Sequence, residues 1–125
     1  MWSISNQRGS AVTDFVLVAF PMLAIFVATI TLSLASYART VLLDATIEGA
    51  RYAALADSAI PTGVLRTKQL VKSSLGSVLT VNVDASSSVV GELELIKFVS
   101  TAALRISPQA SIIKVSSVAT REFQY

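Results

Sequence analysis

The 125-residue sequence contains no cysteine and no histidine. These absences exclude a disulfide framework, a zinc site built from cysteine and histidine, and a catalytic thiol or imidazole. Charged residues are also few, at 14%, and the formal net charge of +2 comes from lysines and arginines scattered along the chain. Because no basic stripe is available to neutralise a nucleic-acid backbone, the sequence disfavours nucleic-acid binding.

Apolar residues, in contrast, make up 53% of the chain and give a mean hydropathy of +0.65. They are concentrated in residues 15–38, which contain no charged side chain. A helix needs about 20 apolar residues to cross a bilayer, so this run predicts one transmembrane segment at about 15–38 and a lipid bilayer as a partner.

The chain divides by pattern into three parts. Residues 1–9, "MWSISNQRG", are polar without helical periodicity and predict a short leader. A helix can begin at Ser10, a plausible N-cap, with Asp14 near the first turn where a negative charge suits the helix dipole. Because helical patterning continues to about Ala56, residues 10–58 are interpreted as one long hydrophobic helix and 59–125 as a small head domain.

The end of this helix beyond the membrane segment has two patterned faces. Apolar positions recur at four-three-four spacing, while the polar positions share another face that predicts an ion pair between Glu48 and Arg51. The apolar set is Leu43, Ile47, Ala50 and Ala54, and the polar set is Asp44, Glu48 and Arg51. Ala45, Gly49 and Ala53 form a stripe of small residues, against which either another helix or the chain's own head could pack.

The head predicts an α+β fold with a short helix and about three antiparallel strands. Pro61 ends the long helix, and Thr62 could cap a second helix over 63–75. After Gly76 the pattern alternates with period two in 77–84 and again in 91–98, which predicts a hairpin through 85–88. A loop around Pro108 and the β-branched stretch 111–123 then predict a third strand.

Asp14 and Pro21 have two interpretations each. Asp14 is either a solvated residue at the start of the helix or, if the Gly9–Ser10 bond is cut, an acid one turn from a new ammonium group at Ser10. An acid drawn into lipid costs about 2.5 to 3.5 kcal/mol at a helix centre, so in a packed assembly Asp14 would need a cationic partner. Pro21 either loosens the apolar helix locally or is one of the prolines common in membrane helices.

Taken together, these residues resemble the TadE-like family of pseudopilins, the minor pilins of tight-adherence (type IVc) pilus systems. The resemblance extends over about residues 8–56, through "RGSAVTDF", the proline-containing apolar run and "YARTVLLDATIEGARYAA". The closing stretch "IIKVSSVATREF" is also similar to the last strand of the family. Little resemblance is found over residues 85–111, where a recognition surface could lie.

The resemblance implies a processing site and an assembly site. In that family a prepilin peptidase cuts after the glycine and an acid occupies the fifth mature position, roles that fall here on Gly9, Ser10 and Asp14. Phe15 follows the acid as an apolar residue often does, and Asp14 stands where glutamate is more usual.

The same resemblance implies partners and a location. The partners would be the prepilin peptidase, other pilins and pseudopilins of the system, and the inner-membrane assembly platform. The chain would span the cytoplasmic (inner) membrane once, with its N-terminus inside and its head outside, before reaching the pilus or the cell surface. It would act there in pilus assembly or priming and in cell adhesion, without a cofactor or a metal.

Two other classes of protein compete with this interpretation. A secreted protein could have its signal peptide cut after Ala35, and a bitopic protein could keep its anchor and bind a partner through an exported head. An enzyme is disfavoured, because the obvious carboxylate pair, Glu92 and Glu94, alternates on a strand and is expected to face solvent. The mass of the mature N-terminus distinguishes the pilin, the secreted protein and the bitopic protein from one another.

Overall fold

The computed structural model describes residues 7–55, 59–104 and 112–122. The elements, in chain order, are α1 (Gln7–Ala53), α2 (Ile60–Leu75), β1 (Leu79–Val90), β2 (Leu93–Leu104) and β3 (Ile112–Glu122). They confirm the predicted α+β fold with one long helix, one short helix and three antiparallel strands. Residues 1–6 of the predicted leader, the predicted helix end at Ala56 and the loop around Pro108 lie outside the described residues. The chain divides into two compact units, Met1–Ser36 and Tyr37–Tyr125.

The first unit consists of the apolar part of α1. The helix begins at Gln7, three residues before the expected start, so Ser10 lies inside it and does not cap it. It continues through Pro21, which has no N–H to donate to the carbonyl of Leu17. By length and composition, α1 is able to cross a membrane.

The side chains of this unit fit an apolar surrounding. All its described large apolar side chains, from Val12 to Leu34, are exposed. Its hydroxyl groups bond within the helix: Thr29 donates to Ile25 O at 2.8 Å, and Ser33 donates to Thr29 O at 2.9 Å. Because lipid offers no hydrogen-bonding partner, such back-bonding lets the helix carry hydroxyl groups through a bilayer.

The sheet of the second unit has the order β1-β2-β3 with both pairs antiparallel. The predicted hairpin is confirmed, but its turn lies at Gly91 and Glu92, between the paired residues Val90 and Leu93. Gly91 has a φ of 65°, and glycine at the first central position is typical of a type II′ turn. The expected turn at 85–88 is therefore wrong, because these residues continue β1.

Helix α2 begins earlier than expected. Its N-cap is Ala59, with proline in the first turn, so Thr62 lies inside the helix and is not its cap. The helix ends at Leu75 and is followed by its C-cap, Gly76, which has a φ of 64°. The N–H of Gly76 donates to Lys72 O at 3.0 Å. Its buried residues Gly63, Thr67 and Val71 recur every four positions and face the core.

The core lies between the sheet and the two helices of this unit. The buried apolar residues form two clusters. Leu42 and Ala45 of α1 belong to the first cluster, and Ala50 and Ala53 of α1 belong to the second. The remaining buried members are Val71, Ala102 and Val115 in the first cluster and Ile96 and Phe98 in the second. The buried face of α1 therefore differs from the predicted apolar face. Ala50 is buried as predicted, but Leu42, Ala45 and Ala53 are buried as well, and the predicted Leu43 is 37% exposed.

Candidate functional site

The candidate assembly site is the start of α1, where Ser10, Asp14 and Phe15 are all exposed. The Ser10 hydroxyl donates to Asp14 Oδ2 over 3.4 Å, a long and weak hydrogen bond. A carboxylate can accept several hydrogen bonds, so Asp14 retains acceptor capacity for a cation outside the chain. Phe15 is 72% exposed and therefore offers an apolar surface directly beside this carboxylate.

The candidate processing bond, Gly9–Ser10, lies in the first turn of α1. The N–H groups of this turn have no partner within the helix, whereas its carbonyls accept from the next turn. Pro21 lies three turns further along, in the exposed apolar part of the same helix.

The small-residue stripe Ala45, Gly49 and Ala53 is buried within the chain's own head. A Cβ at Gly49 would overlap Thr67 Oγ1 and lie 2.8 Å from Gly63 O. A Cβ at Gly63 would lie 2.5 Å from Gly49 O and 2.7 Å from Ala53 Cβ. The stripe therefore packs against α2 of the chain's own head, which is one of its two interpretations.

Three buried hydroxyl groups, those of Thr46, Thr67 and Ser100, lie in this packing. Thr46 on α1 donates to Leu42 O at 2.6 Å, and its oxygen lies 2.8 Å from Ser100 Oγ on β2, which can donate to it. Thr67 donates to Gly63 O at 3.1 Å. Both threonine hydroxyl groups are thus satisfied, which removes the cost of burying them beside the sheet.

Arg121 on β3 binds the C-terminal end of α1, and sequence reasoning missed this contact. Its guanidinium group donates to the carbonyl oxygens of Ala53, Ala54 and Leu55, the last two at 3.4 and 3.2 Å. It also forms an ion pair with Glu94 at 3.5 Å, so Glu94 does not simply face solvent. Helix-terminal carbonyls carry partial negative charge, and a cation placed there is stabilising.

Replacing Arg121 by alanine is expected to destabilise the head by about 2 kcal/mol, because charge-assisted hydrogen bonds are lost at the end of α1 and Glu94 loses its partner. Urea denaturation of the detergent-solubilised chain, followed by far-UV circular dichroism, measures the change. Lys114→Ala is the matched control, since Lys114 is an exposed cation on the same strand. Equal stability of the two variants would contradict a role for Arg121 in holding α1.

Within residues 7–55, 59–104 and 112–122, no group of three acidic, histidine or cysteine residues could hold a metal ion. Glu92 is exposed in the β1–β2 turn, whereas Glu94 is half-buried beside Arg121. The chain has an apolar helix with an exposed acid, Asp14, near its start. Arg121 of the head binds the carbonyl oxygens at the C-terminal end of α1.

The N-terminal helix is the part of the chain that is similar to a known family. A family model described as TadE-like protein matches residues 9–51, which lie entirely within α1 and include Gly9, Ser10, Asp14 and Pro21. No curated protein and no solved structure matches the chain. Over this N-terminal helix, the chain is similar to TadE-like proteins.

Proposed function

We propose that this chain is a minor pilin, or pseudopilin, of a Tad (type IVc) pilus. The TadE-like family indicates a structural, non-enzymatic, pilin-like protein associated with the Tad pilus. The observation that supports the proposal best is that the family match coincides with an exposed apolar helix carrying a Gly-Ser bond and an acid in its first two turns. In this role the chain acts in pilus assembly or priming and in adhesion.

The proposed sequence of events starts in the cytoplasmic membrane. Residues 15–38 anchor the chain as a single-pass protein, in keeping with the length and apolar composition of α1. Arg8 precedes the apolar run, and a basic residue before a membrane span favours a cytoplasmic N-terminus, with the head outside. A prepilin peptidase then cuts after Gly9, and the helix is transferred, through the assembly platform, into contact with other pilins.

The mass of the mature N-terminus tests this proposal directly. The chain is expressed together with a prepilin peptidase, purified from membranes and analysed by intact mass and N-terminal sequencing. A start at Ser10 supports pilin-type processing. A start at Ser36 would show a signal peptide cut after Ala35, and an intact Met1 in the presence of active peptidase would show a permanent bitopic anchor.

Replacing Gly9 by leucine is expected to block cleavage. A peptidase working at the membrane surface must approach the backbone closely, and glycine has no side chain in the way. On a gel, Gly9→Leu should accumulate at the precursor size while Gln7→Leu, two residues earlier in the leader, is processed normally. Normal processing of Gly9→Leu would contradict the assignment of Gly9 to a prepilin peptidase site.

A further inference from the structure

The two clusters of the head core contact different parts of α1. Leu42 belongs to the first cluster, whereas Ala53 belongs to the second. Leu42 comes four residues after Ala38, where the uncharged run ends, and four residues correspond to a rise of about 6 Å along a helix. The first cluster and its flanking residues are therefore the part of the head that follows the apolar run most closely along α1. We call this part the base of the head; it consists of residues 37–45, 68–81, 101–104 and 112–116.

Three exposed lysines lie in the base. Lys68 and Lys72 lie one turn apart on α2 and line a groove of about 280 Å³ beside the start of β1. Lys114 lies near the start of β3. Because α2 contains no acidic residue, the end of α2 that belongs to the base is basic, and so is the start of β3.

Arg39 adds a fourth cation, on the face of α1 that carries the head. It lies seven residues before Thr46, and seven residues come within about 20° of two full helical turns. The Thr46 hydroxyl oxygen is 2.8 Å from Ser100 Oγ on β2, so this face of α1 is turned toward the sheet. Arg39 is nevertheless exposed, because the head core begins one turn later, at Leu42. Arg39 therefore lies on the side of α1 that carries the head, just before the head begins.

Asp44 is the acidic residue among the described residues of the base. It is two positions from Thr46, about 200° around the helix, so it points away from the sheet. It lines a separate groove together with Leu70 and Ser74 of α2. The base thus has four cations and one carboxylate, and the carboxylate lies on the opposite side of α1 from Arg39.

The ion pair formed among the described residues lies outside the base. It joins Arg121 to Glu94, and Arg121 also binds the C-terminal end of α1. The ion pair expected between Glu48 and Arg51 does not form, which corrects the sequence prediction. Within the part of the chain that the structure describes, no carboxylate is therefore paired with a cation of the base, and a negatively charged surface would stabilise these cations.

Two exposed apolar side chains accompany these cations. Val78, in the connection between α2 and β1, is 59% exposed, and Tyr37 is 56% exposed. Tyrosine is enriched at the interface between membrane and water, and basic residues close to a membrane bind anionic headgroups. Because α1 continues from the apolar run into the base, the bilayer that holds the anchor is also the charged surface nearest to the base.

We propose that the base of the head docks on the headgroups of anionic phospholipids in the bilayer that anchors the chain. The four cations bind the phosphate oxygens, and Val78 lies among the headgroups. The anchor keeps the base close to the lipid, so that weak contacts suffice for docking. Exposed charges are screened beyond about 10 Å at moderate salt, so docking weakens as ionic strength rises. The inference rests on the single-pass anchor of the proposed function, but it requires neither cleavage after Gly9 nor incorporation into a pilus.

A single introduced cysteine tests the docking, because the chain has no cysteine of its own. Val78→Cys in the full-length, uncleaved chain is labelled with the fluorophore NBD and reconstituted at low salt into two kinds of vesicle. One kind contains phosphatidylcholine alone and the other contains phosphatidylglycerol as well, and both carry a nitroxide-labelled phosphatidylcholine as quencher. We expect strong quenching at position 78 in the anionic vesicles and much weaker quenching in the neutral ones. Glu92→Cys, in the exposed β1–β2 turn outside the base, should stay unquenched in both.

Charge reversal tests the chemistry of the contact. Each basic residue near an anionic surface strengthens binding about fivefold, so Lys72→Glu/Lys114→Glu should lower the ratio of docked to free heads roughly 25-fold. Quenching at position 78 should then fall to the level seen in neutral vesicles. Arg66→Glu/Lys97→Glu is the matched control, because it makes the same change in charge at exposed positions outside the base and should keep the quenching. Circular dichroism confirms that each variant is folded.

Two results would overturn the inference. One is equal quenching at position 78 in neutral and anionic vesicles, and the other is quenching that Lys72→Glu/Lys114→Glu leaves unchanged. Val27→Cys, within the apolar run, reports on the anchor itself and should be quenched in both kinds of vesicle. If Val27→Cys is quenched and Val78→Cys is not, docking is wrong while the anchor stands. If neither is quenched, the single-pass anchor of the proposed function is wrong as well.

Discussion

Gly49→Leu is expected to unfold the head, because it inserts a side chain where two helices touch. A Cβ at this position already overlaps Thr67 Oγ1 and approaches the backbone carbonyl of Gly63 to 2.8 Å. Overpacking a dense core costs about 1–3 kcal/mol and more where backbone must move. Because backbone must move at Gly49, we expect the cost to exceed about 3 kcal/mol. Domains are stable by only about 5–15 kcal/mol, and a head this small lies at the low end, so such a cost removes most of its stability.

The effect is measured by urea denaturation and by limited proteolysis of the chain in detergent. Tyr52→Leu is the matched control, because it places leucine at a partly exposed position of the same helix, where Tyr52 is 38% exposed. We expect the control to fold and Gly49→Leu to be digested up to the membrane segment. A Gly49→Leu chain as stable as the control would show that α1 and α2 are not packed as closely as the structure has them.

Gly49 illustrates what the sequence could and could not predict about the site. The stripe of small residues was visible from its spacing, and so was its capacity to accept another helix. Its partner was not visible, because spacing on one helix says nothing about which surface approaches it. The partner is α2, whose glycine at Gly63 allows the backbones to meet.

Local sequence patterns predicted the strands of the head but not the residues at which the strands begin and end. Period-two alternation predicted β1, because one face of that strand is buried against the helices. In β2 the alternation of Leu93 and Leu95 with Glu92 and Glu94 predicted a strand but marked the wrong face, since the buried residues include Ile96, Phe98 and Ala102. Composition predicts a turn at the serines 86–88, but their pairing with β2 keeps them in the strand. The true turn was marked by Gly91, which supplies the positive φ that a two-residue hairpin needs.

Contacts between distant parts of the chain were beyond the reach of sequence patterns. Arg121 lies 67 residues from Ala54, and nothing near it in the sequence indicates that its guanidinium group binds the end of α1. The Thr46–Ser100 hydrogen bond spans 54 residues and was equally hidden. In contrast, the glycine, the serine and the acid at the start of α1 are close in sequence, so one motif contains all three, and their roles stay predictions.

Asp14→Asn is expected to abolish incorporation of the chain into the pilus while leaving its membrane level unchanged. If the Gly9–Ser10 bond is cut, each copy gains an ammonium group at Ser10, and Asp14 of a neighbouring subunit can neutralise it. Asparagine keeps the size of the side chain but not its charge. The ammonium group would then enter an apolar filament core unpaired, at a cost of several kcal/mol, about 3–5 for a broken buried pair.

The charge and length of the side chain can be separated by two further variants. Asp14→Glu keeps the charge with a longer reach and should assemble at least as well as the unaltered chain. Asp14→Lys should be worst, since it adds repulsion to the loss of the partner. Recovery of the subunit in sheared filaments or in the priming complex is compared with its membrane level and with its processed mass. Because α1 tolerates an exposed Asp14 with only a 3.4 Å bond from Ser10, folding alone does not require the charge. Equal incorporation of the asparagine and aspartate forms, with both processed normally, would therefore reduce Asp14 to a solvated residue at the start of the helix.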